Sequence, residues 1–444
     1  MSQKKATIIG AGLVGSLQAC YLQKRGYKVD VYESRGDMRK VGYIGGRSIN
    51  LALSTRGWTA LEKIGLADEI HKIAIPMYGR TIHGIDGSIN YQPYGKENQA
   101  IYSVSRGELN KRMVELADSF SEVDFHFDHF CKNLDFKNNE IIFSTGDQGE
   151  VKVNTDFILG ADGAFSRIRL AMQAIPRFQY SQYYIDYGYK ELFIPSGPNG
   201  EFLLDKNSLH IWPRGEFMMI ALPNLDGSFT CTLFLPFEGQ LAFDDLNNET
   251  QVKAYFDKYF PDAVKLMPTL IEDFFKNPTS ALVTVRCFPW HHDNAVLLGD
   301  AAHAVVPFFG QGMNCGFEDV RIFDELLDKY EDKRQLFEEY SNLRKENGDA
   351  IAQMALDNFI EMRDKVGIPE FLEMKHIEHE IMENPIYNYT SMYQYVSFSN
   401  EPYSYAYELG KKQYAMLEAM AKDKDIYQKI KDNQIKDYFD KYLV

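Results

Sequence analysis

The stretch KKATIIGAGLVGSLQACYLQKRGYKVDVYESR, residues 4–35, decides the fold of this chain. It begins with a short apolar run, passes through closely spaced glycines into a segment with helical spacing, and ends in the alternating KVDVYE. This order of periodicities predicts a strand, a glycine turn, a helix and a second strand. The chain therefore opens with a βαβ unit.

The glycine turn of this unit, formed by Gly10, Gly12 and Gly15, has the G-x-G-x-x-G spacing. Such glycines allow a tight turn, a close approach of backbone amides to a pyrophosphate, and close packing of helix on strand. Glu33 ends the second strand, where a carboxylate can accept hydrogen bonds from a ribose diol. The acidic residue favours a dinucleotide with a free 2′-hydroxyl, FAD or NAD, over NADP.

Two later stretches distinguish FAD from NAD. GADGAFSRIR, residues 160–169, places Asp162 at a strand end, and LLGDAAHAVVPFFGQGMN, residues 297–314, places Asp300 at another. The second stretch continues through Gly312, Met313 and Asn314 into a predicted helix. An extended FAD needs such dispersed contacts, including a helix N-terminus whose positive end faces the flavin. The sequence therefore favours FAD, with the 297–314 stretch around the isoalloxazine.

Composition limits the other classes of function. The chain has 444 residues, of which 45% are hydrophobic, and a formal net charge of −15, which disfavours a nucleic acid as partner. Its five cysteines are scattered and contain no C-x-x-C pair, so neither a disulfide framework nor a metal site is expected. No signal peptide and no run of 18 apolar residues is found, which predicts a soluble cytoplasmic protein without a transmembrane segment. The oligomeric state is left open between monomer and homodimer.

Changes in composition and periodicity along the chain predict three regions. The fold class expected is α/β, a Rossmann-like FAD-binding domain with an inserted antiparallel β-sheet substrate domain and a C-terminal helical region. Residues 151–162 are expected to form one strand, and residues 184–284 mostly strands. The predicted domains are 1–75, 100–182 and 285–325 for FAD; 76–99 and 183–284 for the substrate; and 326–444 as a helical region that covers the substrate pocket.

These motifs together resemble the single-component flavin monooxygenases related to p-hydroxybenzoate hydroxylase. Within them, five blocks are similar to the kynurenine 3-monooxygenase family: GRSINLALSTRG (46–57), MYGRTIHGIDG (77–87), IYSVSRGELN (101–110), VVPFFGQGMNCGFED (305–319) and NFIEMRDKV (358–366). The resemblance covers nearly the whole chain. It implies tightly bound FAD, NADPH as a transient co-substrate, and O2.

The resemblance also implies site residues. Arg80 and Tyr94 would hold the substrate carboxylate, an assignment that suits the chemistry because an arginine fork with a phenol orients a carboxylate. Asn358 and Tyr393 would supply further polar contacts, although Tyr395 lies two residues away and the choice between the two tyrosines is open. The remaining residues implied are flavin contacts and an aromatic slot at the flavin face: Gly10, Gly12, Gly15, Glu33, Ala52, Arg106, Asp162, Asp300, Gly312, Met313 and Asn314 for FAD, and Pro307, Phe308 and Phe309 for the slot.

The activity implied by the resemblance is NADPH- and O2-dependent hydroxylation of L-kynurenine to 3-hydroxykynurenine, in tryptophan catabolism and quinolinate/NAD biosynthesis. Two alternatives are open: a monooxygenase acting on another aromatic acid, or a flavin-binding protein that does not hydroxylate. No second G-x-G-x-x-G turn is present, so the residues that contact NADPH are not predicted. His303 is expected to have a packing or supporting role rather than to act as a base.

Overall fold

The computed structural model describes residues 4–41, 50–95, 98–146, 149–365 and 368–443. Residues 46–49 and 366 of the quoted blocks lie outside this part. The described strands, β1 to β19 in chain order, are Lys5–Ile9, Lys28–Tyr32, Asn50–Leu53, Ile75–Met77, Gly79–His83, Ile89–Pro93, Ile101–Ser105, Val123–His126, His129–Asp135, Glu140–Thr145, Gly149–Asn154, Ile158–Gly160, Gln179–Ile194, Ser208–Pro213, Met218–Pro223, Phe229–Pro236, Ser280–Phe288, His291–His292 and Ala295–Leu297.

The α-helices of the same residues, α1 to α16, alternate with strands up to Asp300 and dominate beyond Gly312. They are Leu13–Lys24, Met38–Val41, Thr55–Ile64, Ala67–His71, Arg106–Asp118, Arg167–Met172, Glu249–Tyr259, Leu270–Lys276, Asp300–His303, Gly312–Leu327, Lys333–Ile360, Pro369–Glu383, Met392–Phe398, Tyr403–Met420, Ile426–Lys431 and Lys436–Tyr442. A short 3₁₀ turn, Pro307–Phe309, precedes α10, and a π-helical turn, Glu361–Lys365, follows α11.

The predicted βαβ unit forms the middle of a six-stranded sheet with the order β18-β19-β12-β1-β2-β8. All pairs except β18 with β19 are parallel, and β1 lies between β2 and β12. The strands β1, β2 and β19 are almost wholly buried because helices cover the sheet, which explains the continuous apolar runs of β1 and β19; Asp30 of β2 is paired with Lys5 at 3.0 Å. The strand predicted after residue 294 thus returns to the first sheet.

A seven-stranded sheet with the order β17-β13-β16-β15-β14-β5-β6 forms the second layer. The hairpin β5–β6, which interrupts the first part of the chain, joins this sheet through β14. The β5–β14 pair is parallel, so the sheet is mixed rather than purely antiparallel. The predicted fold class is confirmed, whereas the exact domain boundaries stay a prediction.

One expectation about local structure was wrong, and another was incomplete. Residues 151–162 form two strands rather than one, because β11 pairs with β10 in a small antiparallel sheet while β12 pairs with β1 and β19. Thr155 lies at the break, where its hydroxyl accepts a hydrogen bond from Thr7 at 2.9 Å. The region 184–284 also contains the helices α7 and α8, which pack their apolar faces on the second sheet around Trp212.

Within the described residues, no helix combines the length and the apolar character needed to cross a bilayer. The last helices build a separate small core instead. Met374 and Ile377 of α12 pack there with Met416 of α14 and Ile426 of α15. The α14 helix also packs against α11, so the C-terminal region lies on the helices that follow the first sheet.

A buried ionic network joins four helices behind the glycine-rich 310–312 loop. Glu318 of α10 binds Arg56 of α3 at 2.6 Å and Arg344 of α11 at 2.7 Å. Asp319 binds Arg344 at 2.7 Å and His303 of α9 at 2.5 Å. Burial alone would raise the pKa of Asp319, but the neighbouring His303 and Arg344 outweigh it and lower the pKa to about 2. Asp319 is therefore ionised at neutral pH.

A second buried polar cluster lies on the outer face of the second sheet. His83 of β5 contacts Asp262 through Nδ1 at 3.0 Å and His210 of β14 through Nε2 at 2.9 Å. Nε2 of His210 donates to the carbonyl oxygen of Asp205. Neutral His210 can therefore accept a hydrogen bond from His83 through Nδ1. Burial lowers the pKa of His210 to about 4, because the interior disfavours the charged ring.

We expect His210 to make the protein less stable as the pH falls. The unfolded chain takes up a proton at His210 near its ordinary pKa of about 6.5, whereas the folded residue stays neutral until about pH 4. Stability is therefore lost between these values, by about 3 kcal/mol from this residue. Urea unfolding of His210→Gln should show a smaller loss between pH 7 and 4.5 than the wild type. An unchanged loss would contradict this assignment, and His379→Gln, an exposed position, is the control.

Arg344→Met is expected to destabilise the fold strongly. It leaves Asp319 and one oxygen of Glu318 buried without their guanidinium partner, a change that costs about 3–5 kcal/mol. Urea unfolding at pH 7 measures the loss. Arg334→Met, at an exposed position of the same helix, should lose less than about 0.5 kcal/mol, and equal losses in the two variants would show that the network is not stabilising.

Candidate active site

Four of the predicted site residues lie together at one edge of the six-stranded sheet. Four adjacent parallel strands, β19, β12, β1 and β2, end there and are followed by Asp300, Asp162, Gly10 and Glu33. Ligands of doubly wound sheets bind beyond the carboxyl ends of the strands. Sequence spacing alone predicted each strand end, and the sheet order brings the four together.

The three glycines of the first turn have different structural roles. Gly10 has φ +102°, and a side chain there would contact the backbone of Ala161, so the β1 and β12 loops pass in direct contact. A Cβ at Gly15 would lie 1.9 Å from the carbonyl oxygen of Gly10, which fixes the close packing of α1 on β1. A Cβ at Gly12 would contact no protein atom within 4 Å. The space beside Gly12 is therefore open to a ligand.

Two carboxylates flank this turn. Glu33 accepts hydrogen bonds from the amide of Ala11 at 2.8 Å and from the amide and side chain of Arg35 at 3.0 and 2.9 Å. Burial acts to raise the pKa of Glu33, but these bonds prevail and lower it, so the group stays ionised. Asp162 accepts from the amide of Arg167 at 2.6 Å through Oδ2, while its buried Oδ1 has no hydrogen-bond partner among the described residues.

Arg106 and Asp300 lie farther along the same cavity. Arg106 begins α5, directly after β7, and β7 pairs with the strand that carries Ala52. Burial raises the pKa of Asp300, an effect that the charge of Arg106 partly offsets. The predicted contacts at Ala52, Arg106 and Asp300 thus face one space from different elements.

The start of α10 faces the cavity with Gly312 and Met313. The first amides of a helix have no acceptor within it and carry the positive end of its dipole. Asn314 does not line the cavity: its side chain accepts from the amide of Ser54 at 2.9 Å and donates to the carbonyls of Ala52 and Gly310 at 2.8 and 3.1 Å. It therefore holds the 310–312 loop against β3, a role that the sequence did not predict.

The other end of the cavity contains an arginine between two tyrosine rings. The guanidinium of Arg80 lies 5.5 Å from the ring centroid of Tyr94 and 5.2 Å from that of Tyr393. The two rings are nearly parallel, with centroids 5.3 Å apart. Burial is the main cause that raises the pKa of both phenols, so each keeps its proton at neutral pH and can donate it.

The structure distinguishes the two tyrosines of α13. Tyr393 lines the cavity, whereas Tyr395 packs edge-on against Tyr405 with ring centroids 5.6 Å apart. Asn358 also lines the cavity, and its amide nitrogen donates to the carbonyl of Phe308 at 2.7 Å. Part of the Asn358 amide therefore holds the aromatic turn in place.

The predicted aromatic slot, Pro307 to Phe309, is a 3₁₀ turn in the cavity wall. Phe308 packs against Phe234 of β16 and Phe359 of α11, with centroids 5.1 and 4.6 Å apart. Phe309 stacks on Tyr393 at 5.7 Å. The turn thus lies between the start of α10 and the Arg80 cluster.

One continuous cavity of about 800 Å³ connects the glycine turn with Arg80. Of the predicted site residues, Gly15 and Asn314 alone do not line it. Sequence reasoning missed the apolar wall that the second sheet supplies: Leu209, Ile211, Met218, Ile220, Leu222, Thr232 and Phe234. These residues alternate along β14, β15 and β16, so strand periodicity identifies one face of the sheet but not that this face meets the flavin loops.

His303, Cys315 and Asp319 form the one cluster of possible metal ligands among the described residues. Nε2 of His303 is bonded directly to Asp319, and Arg344 donates to Asp319 and lies 3.4 Å from the Cys315 sulfur. The guanidinium of Arg344 therefore already supplies the positive charge that a metal ion would bring to this cluster. His303 accordingly faces the buried ionic network and not the cavity.

Comparison with known proteins agrees with this geometry. The family model described as FAD binding domain matches residues 3–187 and 267–355, which cover the glycine turn, both aspartates and the 310–314 stretch. Two solved structures share the fold: 2-methyl-3-hydroxypyridine-5-carboxylic acid oxygenase (TM-score 0.68, 17% identity, 84% of this chain and 96% of that chain) and a probable FAD-dependent monooxygenase from Pseudomonas aeruginosa (TM-score 0.64, 16% identity, 82% and 97%).

Relatives named kynurenine 3-monooxygenase match nearly the whole chain. The protein of Flavobacterium johnsoniae is 47% identical over 94% of this chain and 94% of its own. The protein of Dictyostelium discoideum is 47% identical over 96% and 94%, and that of Sus scrofa 45% over 89% and 84%. Since the identity extends over both layers and the C-terminal region, the chain belongs to the kynurenine 3-monooxygenase family of FAD-dependent monooxygenases.

Proposed function

We propose that this protein catalyses the hydroxylation of L-kynurenine to 3-hydroxykynurenine with NADPH, O2 and FAD. The observation that carries the proposal is the continuous cavity that joins a dinucleotide-binding sheet edge to the Arg80, Tyr94 and Tyr393 cluster. The reaction consumes NADPH, a proton and O2, and yields NADP⁺ and water beside the hydroxylated product. Its place in tryptophan catabolism and in NAD biosynthesis is part of the same proposal.

The residues present fit FAD. The open space at Gly12 admits a pyrophosphate, whose charge the start of α1 would stabilise. Ionised Glu33 can accept from ribose hydroxyls, and the unpaired Oδ1 of Asp162 can accept from hydroxyls of the ribityl chain. Gly312 and Met313 would hold the flavin end, with Ala52, Arg106 and Asp300 around it.

The Arg80 end of the cavity fits an amino-acid substrate with an aromatic ring. A guanidinium and two protonated phenols would bind its carboxylate by charge-assisted hydrogen bonds. Asn358 would add a polar contact beside them. The aromatic ring would then lie between Phe308, Phe309 and the apolar strands, toward the start of α10.

The protein's own residues act by position and by exclusion of water. Bound FAD supplies the transfer of electrons from NADPH to O2 and of one oxygen atom to the ring. Arg80, Tyr94 and Tyr393 orient the substrate, and the amides at the start of α10 stabilise negative charge at the flavin end. Leu209, Ile220 and Phe234 keep that part of the cavity apolar. No side chain is assigned as a nucleophile.

The decisive experiment measures NADPH oxidation by the FAD-loaded protein with and without L-kynurenine, with mass spectrometry of the product. Stimulated oxidation and a product heavier by one oxygen atom support the proposal. Product from anthranilate or a hydroxybenzoate, but not from L-kynurenine, would identify another aromatic acid as the substrate. Bound FAD without any substrate-stimulated oxidation of NADPH would show that the protein binds flavin but does not hydroxylate.

Gly12→Ala should fold but bind FAD poorly. Its Cβ contacts no protein atom within 4 Å, and the φ of −73° suits alanine, so the fold is unaffected. The methyl group would occupy the space left for the pyrophosphate. We expect a wild-type circular dichroism spectrum and FAD affinity weaker by about a hundredfold, that is, by about 3 kcal/mol.

Gly15→Ala is the contrasting variant. Its Cβ would lie 1.9 Å from the Gly10 carbonyl oxygen, so we expect loss of folded protein rather than of affinity alone. Full FAD affinity in Gly12→Ala would exclude the turn as the pyrophosphate site.

Arg80→Met should raise the KM for L-kynurenine while FAD remains bound. Removal of a charged partner from a buried carboxylate costs about 2–4 kcal/mol, or roughly 30- to 1000-fold in affinity. Steady-state kinetics give the KM, and flavin absorbance gives the FAD content. Arg112→Met, whose side chain pairs with Glu108 on the surface, is the matched control. An unchanged KM in Arg80→Met would remove Arg80 from the carboxylate site.

A further inference from the structure

Tyr403, the first residue of α14, is fully buried beside the loop that precedes α10. Its hydroxyl donates to Oε1 of Gln311 at 2.9 Å. The Gln311 side chain is also buried, while the neighbouring Gly310 and Gly312 line the cavity. A residue of the C-terminal region is therefore bonded directly to the loop at the flavin end.

Arg56 extends this contact toward the substrate end. Its guanidinium lies 3.9 Å from the ring centroid of Tyr403 and forms the 2.6 Å ion pair with Glu318 of α10. It also donates to the carbonyls of Tyr395 and Val396, at 3.4 and 3.3 Å, and to that of Glu401. One buried arginine thus fixes α13 and the start of α14 onto α10.

The helix α13 that Arg56 holds is the one that presents Tyr393 to the cavity. Tyr393 stacks on Tyr94 and on Phe309, so its ring links the wall beside Arg80 to the turn that precedes α10. A continuous series of contacts leads from Tyr393 through the backbone of α13 to Arg56, Tyr403 and Gln311. None of these last three residues lines the cavity, so they act on it only through the elements they hold.

We infer that Tyr403 is a positioning residue. Through its hydrogen bond to Gln311 it fixes the start of α10 relative to α13, so that substrate contact at Tyr393 changes the flavin end of the cavity. The inference rests on the proposed function. Coupling of this kind between two sites changes a response by about five- to 150-fold. Tyr403 makes one neutral hydrogen bond, and we therefore expect an effect at the lower end of that range.

The test is Tyr403→Phe in the FAD-loaded protein. The variant keeps the ring beneath Arg56 and loses only the hydroxyl. FAD content and the KM for L-kynurenine should stay within about twofold of the wild type. The stimulation of NADPH oxidation by saturating L-kynurenine should fall about fivefold, at the lower limit of such coupling. The change that saturating L-kynurenine causes in the flavin absorption spectrum, recorded without NADPH, should fall with it.

Tyr405→Phe is the matched control, since it removes a hydroxyl from an exposed tyrosine of the same helix. A merely structural role of Tyr403 would lower the thermal midpoint or the FAD content without changing the spectral response at saturation. If Tyr403→Phe gives the wild-type spectral response and stimulation, the inference is overturned while the proposed function stands. If the wild type itself shows neither response, the proposed function fails first.

If Tyr403→Phe is poorly stable, Gln311→Met alone tests the same hydrogen bond from its other partner, with the same outcomes. If both variants fold, a double-variant cycle adds a second test. Two residues that act through their shared hydrogen bond give non-additive effects, so the double variant should respond no worse than the weaker single variant. Additive losses would show that Tyr403 and Gln311 act independently, which overturns the inference.

Discussion

The adjacent carboxylates of Glu318 and Asp319 are the constraint on which the rest of the site depends. They are buried in the second turn of α10 and face two arginines and a histidine from three other helices. A buried carboxylate without a partner is very costly, so α3, α9 and α11 must all approach α10 closely for the fold to form. Burial opposes the protonation of His303, but Asp319 outweighs it and holds its pKa well above the ordinary value.

This network lies about one and a half to two helical turns beyond the residues of α10 that face the cavity. Its charges are therefore close to the flavin end without contacting it, and they fix the direction of the helix whose amides lie there. Asn314 completes the arrangement, because it bonds the loop before α10 to β3. The position of Gly312 and Met313 thus depends on the buried ion pairs of α10 as well as on the hydrogen bonds of Asn314.

Much of the FAD end could be predicted from the sequence because its signals are local. Gly10, Gly12 and Gly15 are each required by a strand–turn–helix of fixed spacing, and the strand periodicity around Asp162 and Asp300 gives their places at strand ends. The order of the strands, which makes these ends adjacent, is a long-range property that no single window contains. The same limit explains why residues 151–162 were expected to form one strand: the pattern is continuous, and only the pairing partners divide it.

The substrate end and the buried network were harder to predict. Arg80 and Tyr393 were assigned to the substrate only through a family resemblance, and periodicity did not distinguish Tyr393 from Tyr395. Arg56 lay within a quoted block, yet nothing local showed that it is buried. The sequence GFEDV, residues 316–320, does contain a signal, since two acids in an otherwise apolar turn of a helix require buried cations. Which cations these are depends on the packing of α3 and α11.

The distribution of the two ends over the chain has a physical consequence for the reaction. The FAD end is built mainly on the ends of four adjacent strands of one sheet, whereas the proposed substrate end needs β5, residue 94 and α13, and α13 belongs to the C-terminal region. Tyr393 is brought to Arg80 by the C-terminal region, and that region is held on α10 by Arg56. Without α13, Tyr393 and its contacts with Tyr94 and Phe309 would be missing, and this end of the cavity would be open to water. Under the proposed function, water would then reach the place where the substrate ring meets the cofactor, so the arginine that stabilises the fold would also protect the reaction.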